Sequence, residues 1–202
     1  MHPTDEELVA AYLERSDQVA FRTLIERHQE RIFGYLLGMV RDRDIANDLF
    51  QETFLRVIAA MQKRRGSYIQ QGRWLGWVLR IARNATLDYL RSRKKWQDVT
   101  PGADDDGASF WDRLSDDAPG ADEELDRLDR ADRLTACIGR LSPEQREVLL
   151  LRHEAEMTFR EIAELTDCSI NTALGRMRYA LLNLRKMMET AQKKDPTRVV
   201  NT

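Results

Sequence analysis

Between residues 98 and 132 the chain carries 13 acidic residues against 3 basic ones, and the stretch DVTPGADDDGASFWDRLSDDAPGADEE within it holds two prolines, three glycines and few aliphatics. Such a segment cannot bury enough apolar area to offset the entropy of ordering it. It therefore divides the chain, and we read residues 98–122 as a flexible acidic linker between an N-terminal unit, 1–97, and a C-terminal unit, 123–202. Phe110, Trp111 and Leu114 interrupt the acidic run and are candidates for transient docking. The flanking pieces, about 90 and 80 residues, are each long enough to fold with a modest core.

The division also resolves the charge. The whole chain of 202 residues has a net charge of −2, which argues against a nucleic-acid partner. Residues 1–97 carry +5, residues 98–132 carry −10 and residues 133–202 carry +3. Residues 60–97 hold ten Lys/Arg and one acid, Asp88, and Arg176 to Arg198 contain seven basic residues against two acidic. Two basic clusters on either side of an acidic spacer suit nucleic acid better than a merely solvated surface.

Outside the linker the apolar spacing is helical throughout, so the fold expected is all-α: two small helical domains, the second a helix-turn-helix. Thr4 and Glu7 make a capping box before Leu8 and Val9. A stripe of Phe21, Leu24, Ile25, His28, Ile32, Tyr35, Leu36 and Met39 follows, with His28 read as a hydrogen-bonded packing residue. A third helix carries Ile45, Leu49, Phe50, Phe54, Val57, Ile58 and Met61. A loop over Lys63 to Gly72 leads into a fourth helix that buries Trp74, Trp77, Val78, Ile81, Ala85 and Tyr89. After the linker, Leu125, Leu128, Leu134, Ile138 and Leu141 mark a helix. Ser142, Pro143 and Gln145 then supply an N-cap, a first-turn proline and a capping-box partner for the helix of Val148, Leu149 and Leu151. Thr158 and Glu161 box a short helix, Thr166 to Cys168 turn the chain, and Ser169 caps a long helix with the stripe Ile170, Ala173, Met177, Leu181, Leu184 and Met188.

A short helix, a three-residue turn and a basic second helix form the helix-turn-helix pattern, whose second helix enters the major groove. Its outward candidates are Ser169, Asn171, Thr172, Leu174, Gly175, Arg176, Arg178 and Tyr179. Arg can bridge guanine, Asn can bridge adenine and Thr can reach a phosphate or a thymine methyl. Mid-helix Gly175 lowers helix propensity and suggests that something packs against it. The second surface is chemically different. Lys63, Arg64, Arg65 and Arg73 can follow phosphates, with Arg80, Arg83 and Asn84 on the helix beyond, while Tyr68 and Trp74 offer flat faces to unpaired bases. Trp77 lies on the apolar stripe and is read as core.

Three segments resemble bacterial sigma factors: DLFQETFLRVIAAM (Asp48 to Met61), WVLRIARNATLDYLR (Trp77 to Arg91) and LSPEQREVLLLRHEAEMTFREIAELTDCSINTALGRMRYALLNLRK (Leu141 to Lys186). They look like regions 2 and 4, and the compact layout is similar to the extracytoplasmic-function group of the sigma-70 family. The resemblance implies that Asp48, Gln51, Glu52 and Phe54 bind core RNA polymerase. It places minus-ten recognition on the Lys63 to Gly72 loop and the following helix, and minus-thirty-five recognition on the helix after Ser169. Leu174 stands where arginine is frequent in well-known members, which leaves the promoter sequence open. It also implies promoter DNA as ligand, an anti-sigma protein as a partner, and the linker threading the polymerase's basic channel. The linker's charge further predicts weak binding to free DNA without polymerase.

A conventional duplex-binding regulator is the alternative, but it leaves the basic aromatic loop unexplained. An enzyme is disfavoured: there is no glycine-rich phosphate loop, no paired catalytic carboxylates with a base and no metal spacing among three His and two Cys, and no cofactor is implied. The apolar runs fall far short of the roughly 20 residues that span a bilayer, and the N-terminus has no signal-peptide pattern, so the expected location is the cytoplasm.

Overall fold

The structure, a computed structural model, describes residues 3–63, 74–99 and 131–194. All regular structure among them is α-helical: α1 (Asp5–Arg15), α2 (Gln18–Val40), α3 (Arg43–Lys63), α4 (Trp74–Val99), α5 (131–139), α6 (Pro143–His153), α7 (Phe159–Leu165) and α8 (Ile170–Lys194). The linker 98–122, Leu125 and Leu128 fall wholly or largely outside the described residues, as do Arg64, Arg65, Tyr68 and Arg73.

The helix starts follow from local chemistry. Thr4 Oγ1 accepts the Glu7 amide while Glu7 returns a carboxylate to the Thr4 amide at 2.8 Å. Thr158 and Glu161 repeat the same box at α7. Each arrangement satisfies amides that the first helical turn leaves without partners. Ser142 caps α6 with Pro143 in its first turn, but Gln145 does not close a box. Its Oε1 accepts instead from Asn183 Nδ2 of α8 at 3.0 Å, because a tertiary donor lies within reach. Asp17 caps α2 through Oδ1, which accepts the Val19 and Ala20 amides.

Helices α1 to α4 pack around Leu24, Ile32, Leu36, Val57, Trp74 and Leu79, all nearly or fully buried. His28 is a packing residue with a partner: Nε2 meets Asp5 Oδ2 at 2.7 Å and the ring lies 5.4 Å from that of Trp74. Asp5 also takes Arg27 Nη1 at 2.6 Å, which ties α1 to α2. In the C-terminal half, α8 lies across α6 and α7 over Ala173, Met177, Ala180 and Leu184.

Here the predicted stripe needs correcting. Ile170 is 42% and Leu181 49% exposed, and Ala180 takes the inner place expected of Leu181. The inner positions 173, 177, 180 and 184 alternate steps of four and three, and residue 181 stands one position around the helix from 180. Leu134, expected on a buried face of α5, is 37% exposed.

The two halves pack on one another, α2 against α6 and α4 against α7. This explains a pattern that one-sided periodicity does not predict: α6 is buried without a break from Glu147 through Leu151. Val148 and Leu151 are fully buried, and Leu150 reaches toward α2 at Gly38.

Candidate nucleic-acid interface

Thr166, Asp167 and Cys168 join α7 to α8, with Asp167 at φ 52, a left-handed conformation that reverses the chain in three residues. Ser169 Oγ accepts the Thr172 amide at 3.0 Å and lies 2.8 Å from Thr172 Oγ1, so the start of α8 is rigidly capped. Asn171, Thr172, Leu174, Arg178 and Tyr179 are exposed and Arg176 and Gly175 half-buried, which brings every predicted member of this set onto one accessible helix start.

Among the described residues, and apart from the surrounding turns of α8 itself, no atom lies within 4 Å of where a Cβ on Gly175 would stand. The expectation that something packs against this glycine is therefore overturned within the chain. The gap leaves the helix backbone open to close approach from outside.

The second surface is only partly assembled. Arg80 and Asn84 are exposed on α4, and Lys63 is exposed at the end of α3. Trp74 is not available to stack on a base: it is 1% exposed, within ring contact of His28 and 6.4 Å from Phe54. It is the first residue of α4, and its side chain packs between His28 of α2 and Phe54 of α3. Trp77 is half-buried. Arg83 Nε lies 2.8 Å from Glu147 Oε1, and its Nη2 donates to Oε2 at 3.2 Å. The Tyr35 hydroxyl donates to the same Glu147 at 3.4 Å, and burial with the adjoining carboxylate pushes the Tyr35 phenol well above its usual range.

The acidic helix face is intact with one exception. Asp48, Gln51 and Glu52 are exposed on α3, with Glu52 pairing to Arg56 one turn on. Phe54 is 8% exposed, its ring 4.8 Å from Phe50, so it supports the helix from within rather than meeting a partner. Leu55 takes the outward place at 68% exposure. Positions 48, 51, 52 and 55 share one face by helical spacing, and the outward step from 52 to 55 was the sequence signal for it.

The Sigma-70 region 2 model matches residues 24–96 and the Sigma-70 region 4 model residues 131–183. Among curated relatives, the chain is 32% identical to the RNA polymerase sigma factor CarQ of Myxococcus xanthus, over 85% of this chain and 90% of that one. It is 27% identical to the ECF RNA polymerase sigma factor SigM of Bacillus subtilis, over 78% and 90% respectively. Among solved structures it resembles the sigma factor RpoE in complex with the anti-sigma factor NepR from Bartonella quintana, with TM-score 0.67, 16% identity and coverage of 84% of this chain and 96% of that one. It also resembles CnrH in complex with the cytosolic domain of CnrY, with TM-score 0.62, 20% identity and coverage of 93% and 99%. Helices α2 to α4 carry the first family region and α5 to α8 the second, in that order, and the chain belongs to the extracytoplasmic-function group of sigma-70 factors, which direct RNA polymerase to specific promoters.

Proposed function

We propose that the three surfaces divide the work of initiation. The face of α3 bearing Asp48, Gln51, Glu52 and Leu55 docks on core RNA polymerase, with Leu55 as an apolar anchor inside a polar rim. The start of α8 lies in the major groove of the upstream promoter element, where Asn171, Arg176 and Arg178 reach base edges and Ser169 and Thr172 meet phosphate. Lys63 and the basic loop after it, with Arg80, Arg83 and Asn84 of α4, hold the separated strand of the downstream element. Tyr68 is the stacking residue there, in place of Trp74. Capturing unpaired bases offsets part of the few kcal/mol that each unstacking costs, which favours the open promoter.

The chain does this as a dissociable factor without a catalytic site, acting in the cytoplasm where polymerase and DNA are. The acidic linker follows the polymerase's basic channel. An anti-sigma protein is the regulatory partner, as in the complex of RpoE with NepR.

The observation that carries the reading is the coexistence, on one chain, of an outward-facing helix-turn-helix and a separate acidic helix face with an exposed leucine. Run-off transcription with purified core polymerase on randomised promoters tests it. Enrichment of templates sharing two spaced elements is expected. Tight, specific duplex binding by the chain without polymerase would instead favour the conventional regulator.

A further inference from the structure

Phe110, Trp111 and Leu114 interrupt an acidic segment, and neither the core nor the polymerase and promoter surfaces account for them. They lie outside the described residues, but the charge around them is plain in the sequence. Asp104 to Asp117 holds six acids and one base, Arg113. The C-terminal half carries a groove of the opposite character.

That groove runs between α5 and α8 and encloses about 650 Å³, within the roughly 300–1,000 Å³ of sites that hold small ligands. Arg133, Ala136, Cys137 and Arg140 line one wall at the i, i+3, i+4, i+7 spacing of a single helical face. Asn183, Lys186, Met187 and Thr190 repeat the spacing on α8. Two helix faces side by side leave a trough for a third, short helical segment. Its floor is apolar, with Cys137 buried and Met187 half-buried. Its rim is cationic: Arg133, Arg140 and Lys186 stand on it, and no described residue of the lining is acidic. Arg140 and Lys186 are exposed and form no ion pair among the described residues. The walls are also fixed in advance. Gln145 Oε1 accepts from Asn183 Nδ2 at 3.0 Å, and Arg146 donates to the Gly139 and Leu141 carbonyls in the turn between α5 and α6. An incoming segment is spared the cost of ordering them.

Sixteen residues separate Leu114 from the start of α5 at 131. A chain of that many residues spans about 20–24 Å as a coil, enough to reach either end of a helix as short as α5. Tethering of this kind gives an effective concentration in the millimolar range, so weak intrinsic affinity suffices.

We propose that the trough between α5 and α8 is a docking site for the chain's own acidic segment. Phe110, Trp111 and Leu114 take the apolar floor, and the flanking aspartates face Arg133, Arg140 and Lys186. Leu114 stands four residues from Phe110 and three from Trp111, so one turn of helix presents all three together. The α8 wall begins at residue 183, beyond the outward set Ser169 to Tyr179, so a docked segment leaves the start of α8 uncovered. Docking there does not depend on how α8 reads DNA.

The test uses the full chain with p-benzoylphenylalanine in place of Phe110, irradiated at low salt and digested for mass spectrometry. Crosslinks should map to residues 133–145 or 183–190 within the monomer band. Raising salt from about 0.05 M to about 0.5 M, which shortens the screening length about threefold, should at least halve the yield. Arg140→Glu combined with Lys186→Glu should do the same, whereas Arg140→Lys with Lys186→Arg should retain it. A second readout keeps Phe110 intact: in the chain labelled with 5-fluorotryptophan, the Trp111 fluorine signal, assigned by its loss in Trp111→Phe, should shift on the double charge reversal. Crosslinks to the first half, or no crosslink together with an unmoved Trp111 signal, would overturn the site. Crosslinks confined to a dimer band would give the trough to a second copy's segment and overturn docking within the chain. A yield indifferent to both salt and charge reversal would overturn recognition by charge.

Discussion

Replacing Trp74 separates a structural from a nucleic-acid role for the largest fully buried side chain of the first half. The indole is 1% exposed and packs within ring distance of His28 and Phe54, so Trp74→Ala leaves a cavity among α2, α3 and α4. Truncations of this kind cost about 3–5 kcal/mol. For a chain of this size, at about 2–4 °C per kcal/mol, the melting temperature should fall by about 6–20 °C. Trp74→Phe is the informative companion. It removes part of the ring but also the indole Nε1–H, which is buried without a partner among the described residues, and such a group weakens the fold by about 1–3 kcal/mol. The two changes oppose one another, so Trp74→Phe should cost far less than Trp74→Ala. Thermal unfolding by circular dichroism gives the stabilities, and permanganate reactivity of promoter thymines in the holoenzyme reports strand opening. Trp74→Phe should open promoters normally. A Trp74→Ala chain that melts within about 2 °C of wild type yet fails to open promoters would refute the assignment and return Trp74 to the base-stacking surface.

Gly175→Ala should raise stability by about 1 kcal/mol, since the new methyl meets only open space, and should weaken duplex binding of the holoenzyme; unchanged duplex affinity would mean the helix does not lie flush on DNA there. Glu52→Lys should leave stability within about 0.5 kcal/mol, because its partner Arg56 is exposed, but should reduce capture by core polymerase in a pull-down. Phe54→Ala should do the reverse in the isolated protein, lowering the melting temperature through its buried ring. His28 has its pKa lowered from an ordinary value near 6.5, by burial that outweighs the nearby Asp5 charge. The unfolded chain therefore takes up the proton more readily, so the contribution of neutral His28 is complete above about pH 6.5 and is lost as pH falls through the folded value. Denaturant titrations of wild type and His28→Gln between pH 7 and 5 should show the wild-type slope reduced in the variant.

Most of the helical framework was legible in the sequence because it is local. The Thr4, Ser142, Thr158 and Ser169 caps act within three residues, and the structure has all four. What escaped depends on partners far along the chain. Gln145 was expected to complete a local box and bonds Asn183 instead. Arg83 reads as an exposed cation until Glu147, 64 residues away, is placed beside it. Trp74 and Phe54 lie on apolar stripes that spacing alone marks as buried, and what fails is their second assignment to binding surfaces, made from aromatic character for one and from family resemblance for the other. On α8 the apolar residues at 180, 181 and 184 define two neighbouring stripes, and packing against α6 and α7 selects one. The contact between the halves has the same long-range origin: Gly34 and Gly38 are ordinary weak points in a helix until Glu154 and Leu150 fill the space above them.

That glycine pair also sets alignment. A Cβ at position 38 would overlap the Leu150 methyls and one at position 34 would crowd the Glu154 carboxylate, so α2 receives α6 where its own side chains are missing. The two halves are keyed to one register along α2, and sliding α6 by one residue would set Leu150 against a side chain instead of a gap.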